Sequence, residues 1–333
     1  MDFAILGPKK SKSVKLLCAE LGVPHIWPTK RAEPVPNLLV NYGCKGRLER
    51  KLYENKPALR DILTINRRPA INKYDAVKQV EEREVRVPHT VRRYDQIPDG
   101  DYLFKPYYSQ KGRGIVDVLT AENDPNIDTN NGYFQKRIRN RRYELRVTGF
   151  MWVPMEEWTV WKKLPGEGRD DDDIAWNHDQ GGKFVKVNDT TQRVFREAII
   201  NAKTVLEVLD LQFGAVDFVV DAEKNAYFLE VNMRPGFSAD YGADTYYSAF
   251  KKLKEMAPED VADMIDPPIM EAAEDRWQAE PEINPLDQLE QASRKYLIQE
   301  LNALMVKFTD VFNPTVIPDL EEVADHILAG TIL

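Results

Sequence analysis

Cysteine is nearly absent from this sequence, whose 333 residues contain only Cys18 and Cys44. The two form neither a CxxC pair nor a disulfide framework, which favours a reducing compartment. The sequence also has no apolar run of transmembrane length, and the apolar stretch in its first residues, MDFAILGPKKSKS, is too short for a signal peptide. We therefore expect a cytoplasmic protein with no membrane partner.

An excess of positive charge is also missing, since the formal net charge is -8. Nothing in the overall composition favours binding to nucleic acid or to a membrane surface. The most basic run is KRIRNRR, residues 136–142, which could bind RNA, an acidic peptide or a carboxylate-rich substrate. Runs of this kind are more often solvated turns, and we expect no nucleic-acid partner.

The chain is long enough for two or three domains, and its composition, 43% hydrophobic and 30% charged, is that of a globular protein. In the first 70 residues, the segments FAILG, VPHIW and NLLVNYG predict short strands. The segment SVKLLCAELG predicts a helix that ends at Gly22. Strand, helix and strand in this order predict a small α/β unit with a parallel sheet.

Residues 71–250 predict a larger domain of mixed helices and strands. A helix is expected in INKYDAVKQVEE, with Asn72 as its N-cap. Strands are predicted on either side of a glycine-containing loop in DGDYLFKPYYSQKGRGIVDV, and of a polar turn in GYFQKRIRNRRYELRVTGFMW. A long amphipathic helix in DTTQRVFREAIINAKTVLEVLDL then precedes a hairpin in FGAVDFVVDAEKNAYFLEVN.

From residue 251 to 333 helical periodicity and acidic residues dominate. The best candidate for a buried helix is residues 286–308, where leucines recur on one face: Leu289, Leu297, Leu301 and Leu304. Such a stripe must pack against something, either the rest of the chain or a partner, including a second copy in a homodimer.

The predicted hairpin carries polar side chains in apolar strands. Asp217 lies on its first strand, and Glu230 and Asn232 on its second. Residues i and i+2 of a strand share a face, and antiparallel pairing can bring Asp217 to that same face. A magnesium ion would offset the cost of placing these oxygen-bearing groups together. The alternative is three ordinary polar residues on a solvated sheet face.

A second candidate site lies in LFKPYYSQKGRGIV. Lys105 ends an apolar strand, and the loop SQKGRG follows. Glycines let backbone N–H groups approach phosphate oxygens, and the lysine supplies positive charge. The segment matches neither the Walker A motif nor the GxGxxG fingerprint, and a polar hairpin turn is the alternative.

In this order, the segments resemble the ATP-grasp superfamily over residues 71–250. The resemblance is carried by NKYDAVKQVEEREVRVPHT, FKPYYSQKGRGI, YFQKRIRNRRYELRV, WNHDQGG and VDFVV…FLEVNMRPG. It is most similar to ligases that add amino acids to a carboxylate, such as the ribosomal-protein glutamate ligases, and more distantly to D-alanine–D-alanine ligases. It implies an α/β (α+β) fold: a pre-ATP-grasp α/β domain at 1–70, a two-lobed ATP-grasp domain at 71–250 with ATP between the lobes, and an acidic helical extension at 251–333.

The resemblance also implies roles for individual residues. Asp217, Glu230 and Asn232 would bind magnesium, and Arg234 and Lys105 would act on the reacting groups. Nucleotide-binding residues would be Lys73, Lys105, Ser109, Gly112, Gly114, Gln135, Lys136, Arg137, Ile138, Glu144, Lys163 and Asn177. This chain departs from the family at Lys136, where an acid is common, and at Ala175, where relatives carry an arginine. Lys162 and Lys163 are candidates to replace that arginine's charge.

The activity implied by the resemblance is an ATP- and magnesium-dependent ligation of a carboxylate to an amine through an acyl phosphate. Either substrate is expected to be a small molecule or a peptide. Two alternatives stay open: a kinase built on the same fold, and a non-catalytic nucleotide-binding scaffold protein.

Overall fold

The computed structural model describes residues 2–27, 36–44, 47–67, 72–107, 113–166, 182–237 and 242–265. These residues all belong to one compact unit that extends over residues 1–268. Several predictions lie outside the described residues: the roles of Ser109, Gly112 and Asn177, and the helix at 286–308.

The N-terminal unit is a parallel sheet of four strands in the order β2-β1-β3-β4. Its elements are β1 (Phe3–Leu6), α1 (Lys12–Leu21), β2 (His25–Ile26), β3 (Leu38–Asn41), α2 (Arg47–Asn55) and β4 (Leu63–Ile65). The Ser11 side chain accepts a hydrogen bond from Val14 N and starts α1, and Gly22, with φ of 63°, ends it. The predicted parallel α/β unit is confirmed.

A second sheet, which we call the small lobe, is antiparallel with the order β5-β8-β6-β7. Helix α3 (Lys73–Glu81) precedes it, and Asn72 caps that helix by accepting from Asp75 N. The lobe contains β5 (Thr90–Val91), β6 (Tyr102–Pro106), β7 (Val116–Asp117), α4 (Val118–Asn123) and β8 (Gly132–Lys136). Its core is small and separate, formed by Tyr102, Phe104, Ala121 and Phe134.

The third sheet is antiparallel and has five strands in the order β11-β10-β9-β12-β13. Its elements are β9 (Tyr143–Phe150), β10 (Thr159–Leu164), β11 (Lys183–Lys186), α5 (Arg193–Val208), β12 (Phe213–Val220) and β13 (Ala226–Asn232). Two helices follow, α6 (Ala243–Glu255) and α7 (Pro258–Ile265). The strands predicted on either side of the polar turn at 137–142 therefore belong to different sheets, with β8 in the small lobe and β9 in the five-stranded sheet.

One hydrophobic core joins the N-terminal sheet to the five-stranded sheet and to α6. The ring of Phe3 in β1 lies 6.3 Å from that of Phe250 in α6, and the ring of Tyr42 lies 5.6 Å from that of Phe213 in β12. Asn66 reinforces this junction, because its side chain accepts from Gln212 N at 2.7 Å and donates to Phe213 O at 2.9 Å. The N-terminal sheet is thus part of the main body of the molecule.

Candidate functional site

A cleft that is open to solvent lies between the small lobe and the five-stranded sheet. The small lobe and the residues that follow it supply one set of lining residues: Pro88, Leu103, Lys105, Gln135, Lys136, Arg137, Ile138 and Arg141. The five-stranded sheet supplies Glu144, Val219 and Leu229. The structure therefore brings Lys105, the 135–138 segment and Glu144, which the sequence predicts separately, around one cavity.

Strand alternation decides which side chains reach the cleft. In β6, Tyr102 and Phe104 enter the small-lobe core, so Leu103 and Lys105 face the cleft. In β9 and β12, Leu145, Val216 and Phe218 enter the main core, which leaves Glu144 and Asp217 on the other face. The residues that break the apolar pattern of these strands are thus those that line the site.

A β-bulge in the hairpin adds one more residue to this face. Asp217 pairs with Glu230, but Phe218 pairs with Phe228, so the register shifts and Leu229 is the extra residue. Phe218 and Phe228 enter the core, whereas both Leu229 and Glu230 face the site. Bulges next to functional sites commonly re-aim side chains in this way, and here the bulge supplies an apolar surface beside a carboxylate.

Lys105 is half-buried at the inner end of the cleft. Its Nζ donates a hydrogen bond to Gln135 Oε1 at 2.5 Å, and Gln135 Nε2 in turn donates to Thr90 Oγ1 at 3.0 Å. Burial, followed by the positive charge of Lys73, lowers the pKa of Lys105 to about 8, although Glu230 and Glu144 act in the opposite direction. An anionic ligand in this position would restore the charged form.

Lys73, at the start of α3, places its ammonium group near Lys105 at the inner end of the cleft. Its Nζ lies 2.7 Å from Glu230 Oε2. Burial by itself would raise the pKa of Glu230, but the charge and hydrogen bond of Lys73, the hydrogen bond from Asn232 and the charge of Arg146 outweigh it and lower that pKa. Glu230 is therefore ionised at neutral pH, next to two lysines.

The other two predicted metal ligands lie beside Glu230. Asn232 Nδ2 is 3.0 Å from Asp217 Oδ2 and 3.3 Å from Glu230 Oε1. Arg146 forms a two-pronged ion pair with Asp217, in which Nε and Nη2 each donate at 2.7 Å. The shared face predicted for Asp217, Glu230 and Asn232 is thus present, with Arg146 added to it.

Glu144 forms ion pairs with two cationic side chains beside the cleft. Lys163 Nζ lies 2.5 Å from one of its oxygens, and Arg141 Nη1 lies 3.3 Å from the other. Lys162 lies on the opposite face of β10, where its Nζ sits over the rings of Tyr143 and Phe195 at 4.8 and 5.1 Å. Of the two lysines considered for the nucleotide site, the structure places Lys163 beside the cleft and Lys162 on the side of α5.

Gly114 and Arg234 lie outside the cleft lining. Gly114 has a φ of 73°, and a Cβ there would lie 3.0 Å from the ring of Pro106 in β6. Arg234 is exposed in the segment that follows β13, against Gly43 of the N-terminal unit.

Compared by sequence, the chain matches no protein-family model and has no significant match among curated proteins. Compared by structure, it is similar to the ATP-grasp ligase PsnB in complex with a minimal precursor, with a TM-score of 0.52 and 11% identity, over 76% of this chain and 99% of PsnB. The chain has the ATP-grasp fold.

Two other ATP-grasp neighbours agree with this assignment. The D-cycloserine synthetase DcsG aligns with a TM-score of 0.55 and 13% identity, over 78% of this chain and 100% of DcsG. The D-alanine–D-alanine ligase of Bacillus anthracis aligns with a TM-score of 0.53 and 12% identity, over 79% of this chain and 99% of the ligase. At these identities the comparisons show the fold, and the predicted α/β ATP-grasp architecture is confirmed.

The candidate site contains a donor set that suits magnesium. Two carboxylates and an amide oxygen are hard ligands of the kind that this ion takes together with phosphate oxygens. Asp217 and Glu230 keep lone pairs beyond those used by Arg146 and Lys73, and a half-turn of the Asn232 amide exchanges its nitrogen for its oxygen. In the described ranges no three His, Cys, Asp or Glu side chains form a metal-binding group, so a bound ion would depend on the amide and on phosphate.

Three residues of the candidate site were not predicted from the sequence. Arg146 and Arg141 neutralise Asp217 and Glu144, and Leu229 covers part of the cleft. The i, i+2 spacing of Glu144 and Arg146 could have indicated their shared face, but no glycine or proline marks the bulge at Leu229.

In the described residues no helix is both long enough and apolar enough to cross a membrane.

Proposed function

We propose that this chain is an ATP-dependent carboxylate–amine ligase that forms an amide through an acyl phosphate. One observation carries the proposal: Lys73 and Lys105 converge with Glu230, Asp217 and Asn232 at the end of a cleft whose wall is the 135–138 segment. Two cations beside a set of oxygen ligands form a site for the phosphate groups of a magnesium-bound nucleotide.

The outer part of the cleft would hold the adenine base. Leu229 and Val219 supply an apolar surface, and the segment from Gln135 to Ile138 lines its edge. The N–H groups of Lys136 and Arg137 already donate to His89 O and Asp101 O, so the base would meet other backbone groups of this segment. The departure from the family at Lys136 matters little here, because that side chain is exposed and the contact would be made by the backbone. Glu144, fixed by Lys163 and Arg141, would face the ribose or the nearer phosphates.

The inner part of the cleft would hold the transferred phosphoryl group. When bound at Asp217, Glu230 and Asn232, magnesium would neutralise charge on the phosphate oxygens. Lys105 would donate to a phosphate oxygen, and Lys73 would exchange its contact with Glu230 for one with phosphate. Such preformed charges act on a dissociative phosphoryl transfer through positioning and electrostatics. Arg234, Ser109, Gly112, Gly114 and Asn177 keep their proposed roles around the same groups.

The activities of the structural neighbours support this reaction class. They are a D-alanine–D-alanine ligase and a D-cycloserine synthetase. PsnB has also been solved with its minimal precursor, magnesium and ADP, in a structure that aligns with a TM-score of 0.50. For this chain we propose ATP and Mg²⁺ as the shared requirement, with a small-molecule or peptide carboxylate and an amine as substrates.

The reaction can be tested by following the carboxylate oxygen. Candidate acids and amines are first screened for release of ADP and phosphate, and the active acid is then labelled with oxygen-18 in its carboxyl group. Ligation through an acyl phosphate transfers label to the released phosphate. Unlabelled phosphate would contradict the acyl phosphate, and a phosphorylated product that remains in the presence of the amine, with no amide formed, would identify a kinase.

A further inference from the structure

Among the described residues, no hydrogen bond or ion pair holds the side chain of Arg234. Arg234 follows the metal-ligand strand by two residues and is exposed. A long cationic side chain in this state samples many rotamers unless its stem is confined. The segment that carries it, residues 233–237, is nevertheless tightly held.

Two buried side chains of the N-terminal unit hold this segment. Tyr42, at the end of β3, donates its hydroxyl proton to Pro235 O at 2.8 Å. Ser13, in the first turn of α1, accepts from Phe237 N at 3.0 Å and donates to Phe237 O at 3.1 Å. The ring of Phe237 also stacks on Tyr246 of α6, with centroids 4.6 Å apart. The backbone is therefore fixed on both sides of Gly236.

Gly43 then confines the stem of Arg234. Its φ is 79°, and a Cβ at this position would lie 2.5 Å from Arg234 Cβ and 3.2 Å from Arg234 Cγ and Cδ. The aliphatic part of Arg234 therefore runs across the bare Cα of Gly43. A side chain at 43 would push the arginine away from this path.

We propose that Ser13, Tyr42 and Gly43 are positioning residues that aim the Arg234 guanidinium at the phosphoryl group moving between ATP and the carboxylate. This inference rests on the proposed function, in which Arg234 faces that group. Because a preorganised cation stabilises developing negative charge without first having to reorient, the N-terminal sheet would contribute to the reaction centre without touching the substrate.

The test measures affinity for aluminium fluoride, a mimic of the transferred phosphoryl group, in the presence of magnesium and ADP. We expect Arg234→Ala and Gly43→Ala each to weaken aluminium fluoride binding by about 10- to 100-fold, since small misplacements of catalytic groups cost this much. Tyr42→Phe, which keeps the ring and removes only the hydroxyl, should weaken it in the same direction. Affinity for magnesium–ADP alone should stay within about twofold.

Gly22→Ala is the matched control. Gly22 has a similar φ of 63°, but a Cβ there meets nothing within 4 Å, so this variant reproduces the backbone strain without the contact to Arg234. In an Arg234→Gly background, which removes the Cβ that Gly43→Ala would meet, Gly43→Ala should have no further effect on aluminium fluoride affinity, whereas a purely structural role would add to it. Thermal melts confirm that each variant is folded.

The outcomes separate this inference from the proposed function. If magnesium–ADP does not bind the wild-type chain, the proposed function fails and this inference fails with it. If magnesium–ADP and aluminium fluoride bind and Gly43→Ala behaves like Gly22→Ala, or its effect persists without Arg234, the positioning role is overturned while the proposed function stands.

Discussion

The Nζ atom of Lys73 lies 2.7 Å from Glu230 Oε2, so the ligand-free protein pairs a proposed phosphate-binding lysine with a proposed metal ligand. The pair keeps the carboxylate ionised although burial opposes its charge. Magnesium and phosphate, arriving together, would each supply a new partner for one member of the pair. The charges of Lys73 and Glu230 thus balance each other before the nucleotide binds.

Glu230→Gln should abolish magnesium-dependent turnover while leaving the fold intact. The amide keeps the shape of the side chain but removes the charge that binds the cation and Lys73. We expect turnover to fall by about 10²-fold or more, the loss typical of removing one electrostatic contact at a reacting group. Steady-state kinetics over a magnesium titration provide the measurement. Glu223→Gln, an exposed residue in the turn of the same hairpin, is the matched control, and equal activity in the two variants would refute the metal assignment.

Nucleotide affinity should fall as pH rises through about 8, the pKa of Lys105 in the ligand-free protein. Phosphate favours the protonated lysine, so above that pKa binding must take up a proton, and affinity drops by up to about tenfold per pH unit. Calorimetric titration with magnesium–ATP at several pH values gives the slope. Lys105→Arg stays protonated throughout and should show no such slope, and a wild-type slope unchanged in Lys105→Arg would assign the proton to another group.

The lowered pKa of Lys105 also affects stability: nucleotide affinity should fall as pH rises, whereas the stability of the fold should rise. The usual lysine pKa is 10.5 and the folded value is about 8, so between these values the unfolded chain binds more protons than the folded chain. The contribution of Lys105 to stability therefore increases as pH rises from about 8 to about 10.5. Urea unfolding of wild-type protein and Lys105→Ala in this window should show the wild type gaining stability relative to the variant. A constant difference would contradict the shifted pKa.

Leu229→Ala should weaken ATP binding with little effect on folding. The side chain is only half-buried in the free protein, but it lines the cleft. Covering such a side chain with a base is worth roughly 1.5 kcal/mol, or about tenfold in affinity. Fluorescence titration with an ATP analogue measures the loss, and Leu119→Ala, which truncates an exposed leucine in α4, serves as the control. Unchanged affinity would exclude contact between the base and the bulge.

Asn66→Ala should lower the free energy of unfolding by about 3 kcal/mol. Asn66 is fully buried, has a φ of 55° and joins β4 to the start of β12 through several hydrogen bonds. Its loss leaves buried backbone groups of Gln212 and Phe213 without partners, at about 1–3 kcal/mol for each group. Urea denaturation gives the value. Asn66→Gly relieves the backbone strain but not the lost bonds, so full recovery of stability by glycine would show that strain alone matters at this position.

Local patterns predicted most of the elements because the chain marks them clearly. Ser11 and Gly22 mark the ends of α1, and the short turn at 221–225 makes pairing of Val220 with Ala226 the natural register. The separation of β8 and β9 into two sheets has no local signal, since a polar turn between two strands predicts a hairpin equally well. Local sequence patterns also do not predict the core that unites the N-terminal sheet with β9, β12 and α6. Phe3 and Phe250 are far apart in the sequence and meet only in the folded chain. The bulge at Leu229 brings Glu230 opposite Asp217, and no glycine or proline marks it in the sequence.

The small lobe enters and leaves the main body at one place, where Lys136 N donates to His89 O at 2.8 Å and Thr90 pairs with Gln135. The segment from 89 to 136 has its own core, and its two ends are adjacent. It therefore has the form of a cassette, that is, a unit inserted into the main body of the molecule. If homologous genes exchanged this cassette, all residues of the main core would still come from one parent. A crossover near residue 70 would instead combine main-core residues from two parents. A recombined chain would inherit Lys105 and one wall of the proposed nucleotide cleft from one parent. It would keep the proposed metal ligands and Arg234 of the other, so the proposed nucleotide and acceptor sites could evolve on separate pieces of DNA.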